Sequence, residues 1–202
     1  MTKNNADEKG RRYHNTMGNS AIVGQRDLLL AIAQAFTKNN VPFLLTGSFA
    51  VSFYGYPRAT HDIDFVIEIQ RMPKVKLITA LKTLGKGFLW DPRDIENIAQ
   101  LSLLMLYHAN TAIKIDLWTT DADDFAEKYA RRNTLQIDDQ SVPVVSAEDL
   151  ILTKLSWCKV VMSERHMRDC IGMWHIQEKH LDKTYLQKKA IELAVEPLLS
   201  RV

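Results

Sequence analysis

The sequence predicts an α/β (α+β) fold: a mixed β-sheet core with helices, followed by a C-terminal helical bundle. Three observations carry that expectation. Short apolar or alternating runs of strand length recur between residues 41 and 145. Segments with apolar residues at helical spacing separate them. After about residue 146 every segment has helical period, and 202 residues suffice for a core domain with a helical annex.

Residues 1–20 are polar, rich in Asn, Lys and Arg, and read as a flexible tail. The core is expected over 21–145 and the helical domain over 146–202. Leu28, Leu29, Ile32, Ala35 and Phe36 make 25–38 a helix that Asn39-Asn40 ends. A strand at 41–46 leads through a Gly47-Ser48 turn into a short helix at 49–54, stopped by Gly55 and Pro57. A strand over 61–69 follows. Pro73 sits in the first turn of a helix reaching residue 84, and 91–99 reads as one short helix. Strands at 101–107 and 112–118 form a hairpin around Asn110-Thr111, and 121–132 is helical. Strands at 135–137 and 142–145 flank an Asp-Asp-Gln-Ser turn. Ser146 caps the next helix, with Glu148 and Asp149 at its positive end, and further breaks fall near Ser163 and Asp182.

A hydrophobic fraction of 46% and a charged fraction of 25% belong to a soluble globular chain. The net charge of +2 argues against bulk attraction to nucleic acid or membrane, so any polyanion site is local. A stripe of Lys154, Lys159, Arg165 and Arg168 on the helical half could serve such a site locally. No apolar run is long enough to span a bilayer, and the cytoplasm is the expected compartment. Cys158 and Cys170 lack metal-ligand spacing and read as buried free thiols.

Chemistry concentrates on two strands. In His61-Asp62-Ile63-Asp64-Phe65-Val66-Ile67, alternation turns Asp62 and Asp64 to one face while Ile63, Phe65 and Ile67 take the other. The two acids lie roughly 7 Å apart at their Cα atoms and repel by roughly 2 kcal/mol at an effective dielectric near 20. A hard divalent cation such as magnesium resolves that repulsion. In Ala112-Ile113-Lys114-Ile115-Asp116-Leu117-Trp118, Asp116 shares a face with Lys114 and Trp118. If the strands are neighbours, Asp62, Asp64 and Asp116 form a cluster able to hold two magnesium ions. Backbone N–H groups and the Ser48 hydroxyl at the Gly47 turn suit phosphate oxygens.

Three stretches resemble the nucleotidyltransferase fold of the polymerase beta superfamily: Leu45-Thr46-Gly47-Ser48-Phe49-Ala50, then Arg58-Ala59-Thr60-His61-Asp62-Ile63-Asp64-Phe65, then Lys114-Ile115-Asp116-Leu117. The similar branch is that of small prokaryotic nucleotidyltransferase-like proteins related to abortive-infection type IV toxins. Its helical half is matched by 144–155, Arg168-Asp169 and 181–186, so the likeness covers roughly residues 25–195. The resemblance implies a magnesium-dependent transfer, with manganese as a substitute, of a nucleoside monophosphate from an NTP to a hydroxyl acceptor. That acceptor is a tRNA end, another protein or a small molecule, and a cognate antitoxin is an implied partner. Asp62, Asp64 and Asp116 then serve as metal ligands and catalytic acids, with Gly47, Ser48, Arg58 and Lys154 at the nucleotide. Arg58 reads equally as a surface residue, and Lys154 as a snorkelling or ion-paired lysine in an apolar helix. His61 faces the apolar side by parity. His166, His175 and His180, like Trp157, Trp174 and Tyr185, read as structural, and Asp169 as an ion pair with Arg168. Two rivals remain: a catalytically silent nucleotide-binding or regulatory partner with the same fold, and a plain interaction module with an acidic surface.

Overall fold

The computed structural model describes residues 24–202; the tail expected over 1–20 lies outside them. Helix α1, Gln25–Lys38, buries Leu28, Leu29, Ile32, Ala33 and Phe36 on one stripe. Asn40, at φ 52°, turns the chain into strand β1, Phe43–Thr46. Helix α2 is Gly47–Tyr54 and strand β2 is Asp62–Ile67. Next come helix α3 (Lys74–Thr83), strand β3 (Phe88–Leu89), and helices α4 (Pro92–Glu96) and α5 (Ile98–Leu101). Strands β4 (Leu103–His108) and β5 (Ile113–Thr119) form the expected hairpin. Helix α6 (Ala122–Ala130) precedes strands β6 (Asn133–Ile137) and β7 (Gln140–Val144). Helices α7 (Ala147–Val160), α8 (Glu164–Gln177), α9 (Lys183–Glu192) and α10 (Glu196–Leu199) complete the chain.

The strands form one seven-stranded sheet in the order β3-β4-β5-β2-β1-β7-β6. β1 runs antiparallel to β2 and parallel to β7, while β2 runs parallel to β5. Ile63, Phe65 and Ile67 are fully buried on the face opposite the acids. There Phe36, Phe43 and Phe65 meet pairwise, with ring centroids 5.4 to 5.9 Å apart. Each such pair adds about 0.5–1.5 kcal/mol beyond its buried area. This aromatic cluster anchors the back of β2, so the direction of Asp62 and Asp64 is fixed from behind.

The last strand ends at Val144, and Ser146 caps α7 by accepting the Asp149 amide at 3.1 Å. α7 packs against α2, α8, α9 and α10, and residues on all its sides are buried, including Lys154. Cys158 and Cys170 are free and buried, and burial pushes the Cys170 thiol up to about 12. Among the described residues no helix is long and apolar enough to cross a membrane.

Several local expectations change. β2 begins at Asp62, one residue later than expected, so His61 is an exposed bend residue and not an inward-facing one. Pro73 is the N-cap of α3, just outside its first turn. Segment 91–99 breaks at Asn97 into α4 and α5, and β3 adds an unanticipated edge strand. A third break separates α9 from α10, where Ala194 takes φ 53°.

Candidate active site

Parallel pairing of β2 with β5 sets Asp62 opposite Lys114 and Asp64 opposite Asp116. Neighbouring strands lie about 4.8 Å apart, so the backbones of all three acids share one small patch of one face. Their carboxyl groups are engaged separately. Asp64 is half-buried, and its Oδ1 accepts the Trp118 Nε1–H at 3.3 Å. Asp116 is only 4% exposed; Lys114 Nζ lies 2.8 Å from its Oδ2, while its Oδ1 is buried without a hydrogen-bond partner. Burial pushes Asp64 above the usual carboxylate range; Trp118 opposes the shift, and the nearby charges of Asp116 and Asp62 add to it. Among the described residues no three Asp, Glu, His or Cys side chains converge as metal ligands in this conformation.

These residues fit a divalent cation. The donors are hard carboxylate oxygens, the register is shared, and Asp116 holds a buried acceptor with nothing to accept from. The strand register already brings the backbones of the three acids together.

The Gly47-Ser48 turn stands directly across β1 from this patch, since Thr46 pairs with Asp64. Gly47 has φ +63°, and a Cβ there would lie 2.0 Å from Asp64 Oδ2. Only glycine both adopts that turn cheaply and leaves room for the carboxylate. Ser48 is buried, and its Oγ accepts Arg58 Nη2–H at 2.7 Å, which leaves the hydroxyl proton free to donate.

Arg58 and Lys154 converge from a loop and from α7 on Asp169 of α8. Arg58 donates through Nε and Nη2 to the two Asp169 oxygens, both at 3.0 Å, and Lys154 Nζ lies 2.9 Å from Oδ2. Burial works against the charge on Asp169, yet Arg58 and Lys154 outweigh it and hold the carboxyl below its usual range. The expected Arg168–Asp169 pair does not form: adjacent helical residues point about 100° apart, and the exposed Arg168 instead donates to the Glu164 carbonyl. The anticipated basic stripe is likewise interrupted, because Lys154 is buried in this pairing and Lys159 donates to the Leu193 carbonyl.

A cavity of about 570 Å³ brings together Gly47, Ser48, Arg58, Asp62, Asp64 and Lys154. Asp116 is not in its lining. Trp118, Trp157 and His166 also border it, and none of them was expected as a site residue. Trp157 is 47% exposed and not core; its ring meets Trp118 edge-on at 5.6 Å. Its spacing three residues after Lys154 on one helix face was the available signal. Burial, reinforced by Lys154, pushes His166 below its usual range, favouring the neutral imidazole at the cavity wall.

The family described as nucleotidyl transferase AbiEii toxin, type IV TA system, matches residues 28–196. Solved structures share the nucleotidyltransferase-like fold. ANT(2'')-Ia in complex with adenylyl-2''-tobramycin is 18% identical with a TM-score of 0.56, covering 88% of this chain and 98% of that one. An antigenic nucleotidyltransferase-like protein from Paracoccidioides brasiliensis is 19% identical with a TM-score of 0.54, covering 87% and 89%. The lincosamide antibiotic adenylyltransferase LnuA, lincomycin-bound, is 18% identical with a TM-score of 0.51, covering 76% and 98%. At such identities the likeness concerns the fold. No curated protein sequence matches the chain.

Proposed function

This chain belongs to the AbiEii nucleotidyltransferase toxin family of type IV toxin–antitoxin systems and is a nucleotidyltransferase, a premise from which we propose its mechanism and its site. It moves a nucleoside monophosphate from an NTP to a hydroxyl acceptor, with Asp62, Asp64 and Asp116 as the acids of the reaction. The observation that carries this reading is the register of β2 with β5, which sets Asp64 beside Asp116 and opposite the Gly47 turn.

In this reading the β- and γ-phosphates rest against the backbone of the Gly47-Ser48 turn, with the Ser48 hydroxyl donating to one oxygen. Arg58 keeps Nη1 for the phosphates, since Nε and Nη2 are already spent on Asp169 and Ser48. Lys154, which lines the cavity, adds positive potential there. Asp62, Asp64 and Asp116 would hold magnesium or manganese, which would supply the charge neutralisation that phosphoryl transfer requires. Asp116 orients the acceptor hydroxyl and draws off its proton; the hydroxyl oxygen attacks the α-phosphorus in line, and pyrophosphate departs. Residues 21–145 act as the catalytic unit, while 146–202 contribute the Lys154–Asp169 support.

Labelled NTPs incubated with the protein and with whole-cell RNA, protein and small-molecule fractions test the reading. Label should enter one fraction with the wild type and none with Asp64→Asn; undiminished transfer by that variant refutes the mechanism. One observation favours the rival of nucleotide binding without turnover, namely that Lys114 already engages Asp116. Calorimetric nucleotide binding with no labelled product in any fraction would establish that rival.

A further inference from the structure

Asp116 is withdrawn from water yet answered on one oxygen only, and that answer comes from Lys114. Lys114 lies two residues earlier on β5, so strand alternation sends it to the face of the acids. Across the ladder it stands opposite Asp62, the second of the three carboxylates. Lys114 therefore differs from the exposed lysine pairs of the helical half, such as Lys188 with Glu192, where both partners are largely in water. Its partner Asp116 has a side chain only 6% exposed. A single ammonium at this position offsets the mutual repulsion of acids that otherwise face each other in a poorly solvated patch. A divalent ion taking the free Oδ1 would stand within a few ångströms of the ammonium on Oδ2 and be repelled by it, so the two compete for this one carboxylate.

Resting on the reading of Asp62, Asp64 and Asp116 as metal ligands, we propose that Lys114 is a built-in counter-ion of this site. It holds Asp116 while the protein is metal-free and must leave that carboxylate for a divalent ion to take it. Lys114 is a positioning residue, acting through Asp116. It has two opposite effects: it stabilises the metal-free fold and it weakens metal affinity. The protein consequently needs a higher concentration of divalent ion to load the site than it would without Lys114.

Direct Mn2+ binding to the full chain, followed by electron paramagnetic resonance, tests this with no recourse to turnover. Loss of one unit charge in contact with the site should tighten binding by roughly tenfold in Lys114→Met. Lys114→Arg, which keeps the cation, should bind no tighter than the wild type. Lys128→Met removes a charge that also borders the cavity but pairs with Asp124, and should shift binding less than about twofold. Without metal, Lys114→Met should melt below the wild type, and saturating Mn2+ should close that gap. Should Lys114→Met fail to fold, Lys114→Gln gives the same sign. Equal Mn2+ affinity in the wild type and Lys114→Met, or equal gains from Lys114→Met and Lys128→Met, overturns this inference alone. Absence of Mn2+ binding in every protein overturns the metal-site reading and this inference with it.

Discussion

Asp64 on the sheet and Asp169 on the helical half are both carboxylates withdrawn from water, and their surroundings treat them oppositely. Burial raises both. At Asp169 the guanidinium of Arg58 and the ammonium of Lys154 more than reverse that effect. At Asp64 one indole N–H and, more weakly, the Lys114 ammonium oppose it without reversing it, while Asp116 and Asp62 add like charge. The helical half thus holds a satisfied ion triad, and the sheet holds acids that one indole and one lysine answer only in part. Satisfied groups brace a structure; frustrated titratable groups crowded at a cleft mark where a ligand completes it.

Neutralising the frustrated member should have the largest consequence. Asp64→Asn is expected to lower nucleotide transfer by at least about a hundredfold, with thermal stability unchanged or raised because a poorly compensated buried charge is gone. A variant that loses activity only by unfolding would erase the contrast. Gly47→Ala approaches the same site from the other side. Its Cβ cannot coexist with the present Asp64 carboxylate, and the left-handed turn costs a non-glycine residue about 1–2 kcal/mol. Near-normal transfer by this variant would show that the Asp64 position is not critical.

The satisfied triad makes the opposite prediction, in stability before activity. Asp169→Asn removes the charge that answers buried Lys154, and should cost about 3 kcal/mol in urea unfolding at pH 7. Because the Asp169 carboxyl is held below its unfolded value, its contribution is complete above the ordinary carboxylate range and lost as pH falls through the folded value. The gap between wild type and variant should therefore shrink on acidification; a gap constant from neutral to acid pH would contradict the pairing. The smallest effect belongs to Trp157. Its exposed ring on the cavity wall suits a nucleobase, and base stacking is typically about 1–3 kcal/mol. Trp157→Ala should raise the nucleotide KM about tenfold with little change in melting temperature, and an unchanged KM with a lowered melting temperature would make the ring mere packing.

Much of this contrast was readable before any coordinates. Alternation alone turned Asp62 and Asp64 away from Ile63, Phe65 and Ile67, and placed Lys114, Asp116 and Trp118 together. Local periodicity tells which residues share a face, however, and not what covers that face. Asp169 finds Arg58 at a separation of 111 residues, a pairing invisible to short-range pattern, so its sequence neighbour Arg168 was the wrong partner. Trp157 follows the helical spacing of a core residue, but α8 and α9 pack on other sides of α7 and leave it at the cavity. His61 turned outward because the strand starts only at Asp62, so the alternation that places Asp62 to Ile67 does not extend to it. The two-residue β3 was too short for any period to register.

Crystals grown with Mn2+ and a non-hydrolysable NTP analogue offer the most direct test of the acids as one metal site. Anomalous density should fall between the carboxylates of Asp62, Asp64 and Asp116, with the triphosphate against Gly47 and Ser48. Ions bound elsewhere, with the three carboxylates keeping the partners they have here, would contradict the account.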